Sequence, residues 1–279
     1  MASENSISDG DFKRLVDLVY REAGITLQQK RDLVNARLAT IVRKKRLSGP
    51  KEIIQQLEED KTGTALVELI DALSTNVTHF FREDHHFKFM KETLLPELVK
   101  KKKAENDTTI RIWSAASSTG TEPYSIAIVV KEFFGSLLGW DLKILATDIS
   151  TKVLNIGAKG IYPSKEVQTV PKVYLTRYFS RIGGRNEDEG YQVNSELRNM
   201  VTFRRFNLLS DQYPFTRKFD LIFCRNVMIY FDQPTKKKIL NSLISNLHKS
   251  GYLFTGHAES LGRSVQGVKH VEPAIYIKT

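Results

Sequence analysis

Residues 111–127 constrain the fold of this chain more than any other segment. An apolar run, predicted to be a strand, leads into a turn of small residues, and a helix is predicted to begin at Glu122. In that turn, Gly120 can adopt a positive φ without steric cost. A second predicted strand, residues 142–148, ends in the carboxylate of Asp148. Since an acid at that place in a doubly wound sheet can bind ribose hydroxyls, the pattern predicts a nucleoside-binding α/β domain.

The composition is that of a water-soluble protein large enough for two domains. The chain has 279 residues, of which 41% are hydrophobic and 27% are charged, both ordinary for a globular protein. No apolar run approaches the roughly 20 residues that span a bilayer, and the N-terminus lacks the pattern of a secretory signal. The single cysteine, Cys224, excludes an internal disulfide and is interpreted as a small buried hydrophobe. We therefore expect a cytoplasmic protein.

The formal net charge of +10 suits nucleic acid, an anionic membrane surface or an acidic protein as a partner. Much of the positive excess lies in residues 37–46 and 100–103. Because charge runs are often solvated helix faces, the sequence alone leaves the role of both runs open.

The hydrophobic pattern divides the chain into two predicted domains. Residues 1–90 follow helical spacing and predict a small all-helical domain. In residues 91–279, strands alternate with helices, which predicts an α/β fold with a mostly parallel, Rossmann-like sheet. A small β-hairpin subdomain is predicted as an insert at about residues 163–195. Predicted strands of the main sheet cover residues 110–116, 142–148, 201–206, 220–226, 251–257 and 274–278.

Polar residues at the predicted strand ends carry the candidate chemistry. The turn after the first strand departs from G-x-G-x-x-G, which disfavours a dinucleotide-binding dehydrogenase. Glu122 is available to an amine on the cofactor, although the helix dipole alone would also favour an acid there. Asn207 and Asn226 each follow a strand, where an amide can bind a purine edge or can simply suit a turn.

Several blocks of the sequence, in the same order along the chain, closely resemble the chemotaxis receptor methyltransferases of the CheR type. That resemblance covers nearly the whole chain. It implies an S-adenosylmethionine-dependent methyltransferase that forms methyl esters on glutamate side chains of the cytoplasmic helices of chemoreceptors and leaves S-adenosylhomocysteine as product. The blocks are NVT (76–78), FFR (80–82), WSAASSTGTEPYS (113–125), ATD (146–148), FDLIFCRNVMIYF (219–231) and GYLFTGH (251–257).

The resemblance also implies roles for individual residues. Asn76, Thr78 and Arg82 would reach the cofactor, with Arg82 facing its carboxylate. Glu122 would lie against the methionine part, and Asp148 against the ribose. The first of the two consecutive glutamates in the family motif is threonine in this chain, and the retained Glu122 is the one before proline.

Residues that would line the adenine and the methyl-transfer end of the cofactor are implied in the same way: Asn207 with Leu208, and Asn226 with Val227. The identity of any catalytic side chain stays open, with positioning by Arg82, Asn226 or Tyr230. A glutamate carboxylate is already ionised near neutral pH, so it can attack a sulfonium methyl group without a general base. Catalysis would then rest on positioning of the reactants and on exclusion of water.

A complementary surface for acidic receptor helices is offered by the basic residues of the N-terminal domain. We expect a monomer that neither binds nucleic acid nor inserts into a membrane. No metal is expected, since His79, His85 and His86 lack companions at ligand spacing. The candidate substrate-binding residues are Arg37, Arg43, Lys44, Lys45 and Arg46.

In some members of the family, a hairpin of this kind binds the receptor's C-terminal peptide as an added strand. Here the turn contains the acidic run of residues 187–189, which would repel a peptide carboxylate. We therefore expect tethering to be weak or absent.

Two rival functions stay open from the sequence. A nucleic-acid methyltransferase would explain the basic charge, but it should carry an Asn/Asp-Pro-Pro-Tyr-type motif or an aromatic stacking platform, and neither is present in the sequence. A non-catalytic adaptor that senses S-adenosylmethionine would carry the same cofactor-binding residues as the enzyme.

Overall fold

The computed structural model describes residues 7–60, 64–73, 78–183, 190–259, 261 and 265–279. By its internal contacts the chain divides into two compact units. The first comprises Met1–Val77 and Tyr230–Lys238, and the second comprises Thr78–Ile229 and Ile239–Thr279. The sequence predicts a boundary at residue 90, whereas residues 78–90 lie in the second unit, because Phe80 and Phe87 belong to the hydrophobic core of its sheet.

The first unit is helical, as predicted. The side chain of Ser8 caps its first helix by accepting the N–H of Asp11 at 3.1 Å, and Gly24 ends that helix in the left-handed conformation. Each helix buries an apolar face; Leu15 of the first helix and Leu38 of the second are examples. The segment Tyr230–Lys238, which also belongs to this unit, pairs with it through a β-bridge between Ile25 and Phe231. The helices are α1 (Asp9–Ala23), α2 (Arg31–Lys45), α3 (Pro50–Glu59) and α4 (Thr64–Leu73).

The second unit alternates strands and helices. In chain order its regular elements are α5 (His85–Phe89), α6 (Leu95–Ala104), β1 (Thr109–Ala115), α7 (Thr121–Phe134), β2 (Asp141–Asp148), α8 (Thr151–Lys159), β3 (Ile161–Pro163), α9 (Lys172–Tyr178), β4 (Phe179–Ile182), β5 (Gly190–Val193), α10 (Ser195–Met200), β6 (Val201–Arg205), β7 (Phe219–Cys224), α11 (Gln233–Ser245), β8 (Leu247–Phe254), β9 (Val268–Glu272) and β10 (Ile275–Lys278). Only the first part of α11 belongs to the first unit.

The main sheet has seven strands in the order β6-β2-β1-β7-β8-β10-β9. The first five strands in this order, β6, β2, β1, β7 and β8, pair in parallel. Strand β10 is antiparallel to both β8 and β9. This arrangement confirms the predicted Rossmann-like sheet. Because the strand order reverses between β1 and β7, ligands are expected in the crevice outside the carboxyl ends of these strands. Asp148 ends β2, and Asn207 and Asn226 follow β6 and β7 at this edge of the sheet.

The predicted strands omit one strand of the main sheet, β9, which precedes β10. That strand escapes the hydrophobic pattern because it lies at the sheet edge, where its residues are mostly exposed. Pro96 lies in the first turn of α6, directly after a π-helical turn, Met90–Leu94, at a position where the missing N–H costs little.

The insert forms the predicted hairpin, β4 with β5, and β3, at its N-terminal boundary, adds a third strand. Its sheet has the order β3-β5-β4. The ring of Phe80 packs edge-on against Tyr162 and Phe179, so the insert is anchored to the segment that precedes the sheet. The hairpin turn up to Gly183 is described, while residues 184–189, including the acidic run, lie outside the described residues.

Candidate functional site

The turn between β1 and α7 is closely packed and strained. Ala116, Ser118 and Gly120 all have positive φ, at 59°, 50° and 90°, which costs energy for the two residues with side chains. A Cβ on Gly120 would lie 2.9 Å from the Cα of Gly157, so glycine is required there. Such strain persists where the surrounding structure imposes it, and it is common at ligand sites.

The same turn buries hydroxyl groups that lack a protein partner. Among the described residues, the hydroxyl oxygens of Ser117, Ser118 and Thr119 have no hydrogen-bond partner. Buried polar groups are nearly always paired in proteins. Three consecutive unpaired hydroxyls therefore indicate a polar ligand at this turn, which fits the nucleoside site predicted from the sequence.

Asp148 lies at the carboxyl end of β2, beside the turn. Its Oδ2 accepts the N–H of Ser118 at 2.9 Å, and its Oδ1 accepts the N–H of Ser150 at 3.0 Å. The carboxylate is thus oriented by one backbone group from each neighbouring segment. This position agrees with the one predicted for a ribose-binding acid, and that role stays a prediction.

Glu122 lies in the first turn of α7 and faces the carboxyl ends of β1 and β7. Its Oε1 accepts the hydroxyl of Ser114 at 2.6 Å, and its Oε2 accepts Nη1 of Arg225 at 3.1 Å. Burial raises the pKa of Glu122 above its ordinary value, although the charge of Arg225 and the two hydrogen bonds oppose that rise. A carboxylate held in this way is suited to bind a cationic amine.

Arg225 links Glu122 to the segment before α5. Its Nη2 donates to Oε2 of Glu83 at 3.1 Å and also to the carbonyl of Arg82. Burial alone would raise the pKa of Glu83, but the charge of Arg225 and the hydrogen bonds that Glu83 accepts lower it below its ordinary value. Arg225 and Glu83 were missed at the sequence level. The signal that could have found Arg225 is a charged residue directly after the buried strand β7.

Asn226 is held by two carboxylates. It has a φ of 58°, its side-chain Nδ2 donates to Oε1 of Glu83 at 3.2 Å, and its N–H donates to Oε2 of Glu259 at 2.7 Å. Glu259 also accepts the N–H groups of Gly256 and Ile229. The buried Glu259, a third residue that the sequence did not reveal, therefore fixes the loop after β7.

Thr78 and Arg82 lie close to α7 and β7. The hydroxyl of Thr78 is 2.8 Å from that of Thr121 at the start of α7, and the carbonyl of Arg82 accepts from Arg225. These contacts place Thr78, Arg82, Glu122 and Asn226 in one connected group. Asn76, which was predicted to bind the cofactor with them, lies outside the described residues.

The remaining predicted residues differ in their surroundings. Asn207 follows β6, where its Oδ1 accepts the N–H of Leu209 at 3.0 Å. This hydrogen bond stabilises the turn after the strand. Leu208 is buried, and Val227 is half-buried. Tyr230 belongs to the first unit, where its carbonyl accepts the N–H of Thr26 at 2.9 Å. A positioning role for Tyr230 stays a prediction.

The basic residues of α2 are not equivalent. Arg43, Lys44, Lys45 and Arg46 are exposed, but the ammonium group of Lys45 pairs with Glu68. Arg37 is half-buried, and its Nε is buried without a hydrogen-bond partner among the described residues. At the C-terminal end of α2, Arg43, Lys44 and Arg46 are thus exposed, and no ion pair of theirs is seen within the described part of the chain.

Cys224 is fully buried, and burial raises the pKa of its thiol well above the ordinary value. This agrees with the interpretation of Cys224 as a packing residue. Within the described ranges, no group of three or more His, Cys, Asp or Glu side chains is placed to hold a metal ion. No helix in those ranges has the length and apolarity needed to cross a membrane.

Comparison with known proteins gives matches over nearly the whole chain. Residues 76–277 match the family model "CheR methyltransferase, SAM binding domain", and residues 10–74 match "CheR methyltransferase, all-alpha domain". The chemotaxis protein methyltransferase of Borreliella burgdorferi is 40% identical over 275 residues, covering 98% of this chain and 95% of the relative. Its counterpart in Escherichia coli is 41% identical over 263 residues, covering 93% of this chain and 87% of the relative.

Proposed function

Because the chain belongs to the CheR methyltransferase family, we propose that it transfers a methyl group from S-adenosylmethionine to glutamate side chains of chemoreceptors and thereby forms methyl esters. The observation that carries the cofactor part is the set of unpaired hydroxyls of Ser117, Ser118 and Thr119 beside two oriented carboxylates, Asp148 and Glu122. Relatives named chemotaxis protein methyltransferase support the receptor part.

The residues of the site divide the cofactor between them. Asp148 accepts hydrogen bonds from the ribose hydroxyls, and Glu122 pairs with the amino group of the methionine part. Arg82 pairs with the cofactor carboxylate, and Asn76 and Thr78 complete the contact on that side. Asn207 with Leu208 borders the adenine, and Asn226 with Val227 borders the end where transfer occurs.

The chemistry requires no general base from this chain. The cofactor supplies an electrophilic methyl group on a sulfonium sulfur, and the attacking glutamate is ionised near neutral pH. The chain's contribution is to orient both reactants and to exclude water, which are effects worth several kcal/mol in oriented reactions. Asn226 suits this role because two carboxylates, those of Glu83 and Glu259, fix its backbone and side chain.

We assign substrate recognition to the N-terminal helices and cofactor binding to the methyltransferase domain together with the segment 76–82 that precedes it. The exposed basic residues of α2 would contact acidic receptor helices through complementary charge. The acidic run of the hairpin turn, residues 187–189, argues against binding of a receptor's C-terminal carboxylate. Titration with receptor C-terminal pentapeptides tests this, and low-micromolar binding, about 8 kcal/mol, would contradict it.

The experiment for the proposed function compares acceptors. Purified protein is incubated with radiolabelled S-adenosylmethionine and with a chemoreceptor cytoplasmic fragment, tRNA or duplex DNA. Label in the receptor fragment alone is expected. Label in nucleic acid would support the rival methyltransferase class. Binding of S-adenosylhomocysteine without label in any acceptor would support a cofactor-sensing adaptor.

A further inference from the structure

Glu122, Arg225 and Glu83 form one connected group of charges at the carboxyl ends of the sheet. The side chain of Arg225 is 2% exposed, and those of Glu122 and Glu83 are 14% and 16% exposed. Arg225 uses a different nitrogen for each carboxylate, with both distances at 3.1 Å. Two carboxylates therefore share one guanidinium, and these three side chains together carry a formal charge of −1.

Two neighbouring titratable groups are neutral. Glu122 accepts the hydroxyl of Ser114 on β1 and interacts electrostatically with the thiol of Cys224 at the end of β7. The thiol is neutral because burial raises its pKa well above the ordinary value. His86, whose Nδ1 is 3.7 Å from Oε2 of Glu83, is neutral as well, because burial and the charges of Arg225 and His85 lower its pKa to about 3. A buried net charge is costly unless it is paired, so a cationic ligand group would be stabilised here.

We propose that Arg225 is a positioning residue that holds Glu122 as a fixed, ionised carboxylate for the ammonium group of the cofactor, and that Glu83 fixes the guanidinium of Arg225. The inference rests on the proposed function, in which Glu122 meets that ammonium group. Arg225 keeps Glu122 charged and oriented through Nη1, while Glu83 accepts a hydrogen bond from Nη2 of the same guanidinium. The cluster then carries one negative charge more than Arg225 can balance, and the ammonium group offsets it.

This arrangement makes cofactor affinity depend on pH, and two substitutions should shift the midpoint of that dependence in opposite directions. Protonated Glu122 cannot pair with an ammonium group, so affinity should fall about tenfold for each pH unit below the pKa of Glu122. Arg225→Gln removes the positive charge that favours ionisation, so the midpoint of this loss should move to higher pH. Glu83→Gln removes a negative charge that disfavours ionisation, so the midpoint should move to lower pH.

The experiment is calorimetric titration of the full chain with S-adenosylhomocysteine between about pH 4 and pH 8, a range that brackets a raised carboxyl pKa. Arg225→Lys keeps the charge and should keep the midpoint near that of the wild type, even if the protein is less stable. Glu97→Gln, a matched change at a residue that instead contacts Tyr252, should leave the midpoint unchanged. 5′-Methylthioadenosine, which lacks the amino acid part, should bind without this pH dependence.

Opposite shifts for Arg225→Gln and Glu83→Gln are the expected result. Shifts in the same direction, or no shift in a folded variant, would overturn the inference while leaving the proposed function intact. If Arg225→Gln does not fold, Glu83→Gln decides alone, since an unchanged or higher midpoint overturns the inference. A wild-type protein with no measurable affinity for S-adenosylhomocysteine contradicts the proposed function itself and this inference with it.

Discussion

The Oδ2 atom of Asp148 accepts the backbone N–H of Ser118 at 2.9 Å. The carboxylate at the end of β2 therefore holds the turn that follows β1, and the two elements that we propose to face the cofactor are joined directly. A change at Asp148 should affect both the ribose contact and the shape of the turn.

We expect Asp148→Ala to weaken S-adenosylhomocysteine binding by roughly 100-fold, since charge-assisted hydrogen bonds contribute about 2–3 kcal/mol. Asp148→Asn keeps one acceptor oxygen and should lose less. Asp141→Ala, at the other end of the same strand, is the matched control and should bind normally. Calorimetry gives the affinities. Unchanged affinity in folded Asp148→Ala would refute the assignment of this residue to the cofactor site.

Gly120 should tolerate no side chain. A Cβ there would lie 2.9 Å from the backbone of Gly157 and 3.1 Å from both Phe203 and Tyr162, at a φ of 90°. Gly139 has a similar φ of 81°, but a Cβ would meet nothing within 4 Å. We expect Gly139→Ala to cost about 1 kcal/mol from backbone strain alone, and Gly120→Ala to cost about 3 kcal/mol because the clash adds to the strain. Denaturant unfolding measures both, and equal losses would show that the close packing has no energetic consequence.

Lys102 is a structural cation within the basic run of residues 100–103. Its Nζ lies 2.7 Å from Oδ2 of Asp107 and 3.0 Å from Oδ1 of the buried Asp220. Lys102→Met leaves Asp220 without this partner, and we expect a loss of about 3 kcal/mol. Lys103→Met, at the exposed neighbour, should stay within about 0.5 kcal/mol of the wild type.

The Lys102 contribution should depend on pH with a defined sign. The hydrogen bond from Lys102 is the largest cause that lowers the pKa of Asp107 in the folded protein. A lowered folded pKa gives stability that is present above the unfolded value of about 4 and is lost as the pH falls. The stability difference between wild type and Lys102→Met should therefore shrink in acid. A difference that grows with acidification would contradict the pairing.

The exposed basic residues of α2 should govern receptor affinity. Arg43→Glu with Lys44→Glu should raise the KM for a receptor fragment several-fold and leave S-adenosylhomocysteine affinity unchanged, because the reversed charges repel an acidic surface. The matched control is the pair Lys13→Glu and Lys51→Glu, two exposed lysines of the same unit. If both pairs raise KM equally, or if added salt has no effect, the α2 cluster is only a solvated face.

The parts of the site that the sequence could predict are those encoded locally. The turn before Gly120 and the acid at Asp148 follow from strand, turn and helix signals within short windows. The pair of Arg225 with Glu83 is separated by 142 residues, and the sequence shows no pattern that joins such distant positions. Strand β9 was missed for a different reason: its exposed edge position removes the alternation of apolar and polar residues on which strand prediction depends.

The most direct test of the central claim is the chemical nature of the methylated product. Receptor fragment labelled by this protein with radioactive S-adenosylmethionine is treated with mild alkali, and volatile label is counted. A glutamate methyl ester is hydrolysed by alkali, so the account predicts that the label is released as methanol. Label that stays on the fragment after alkali would show methylation of nitrogen or carbon and would contradict the account.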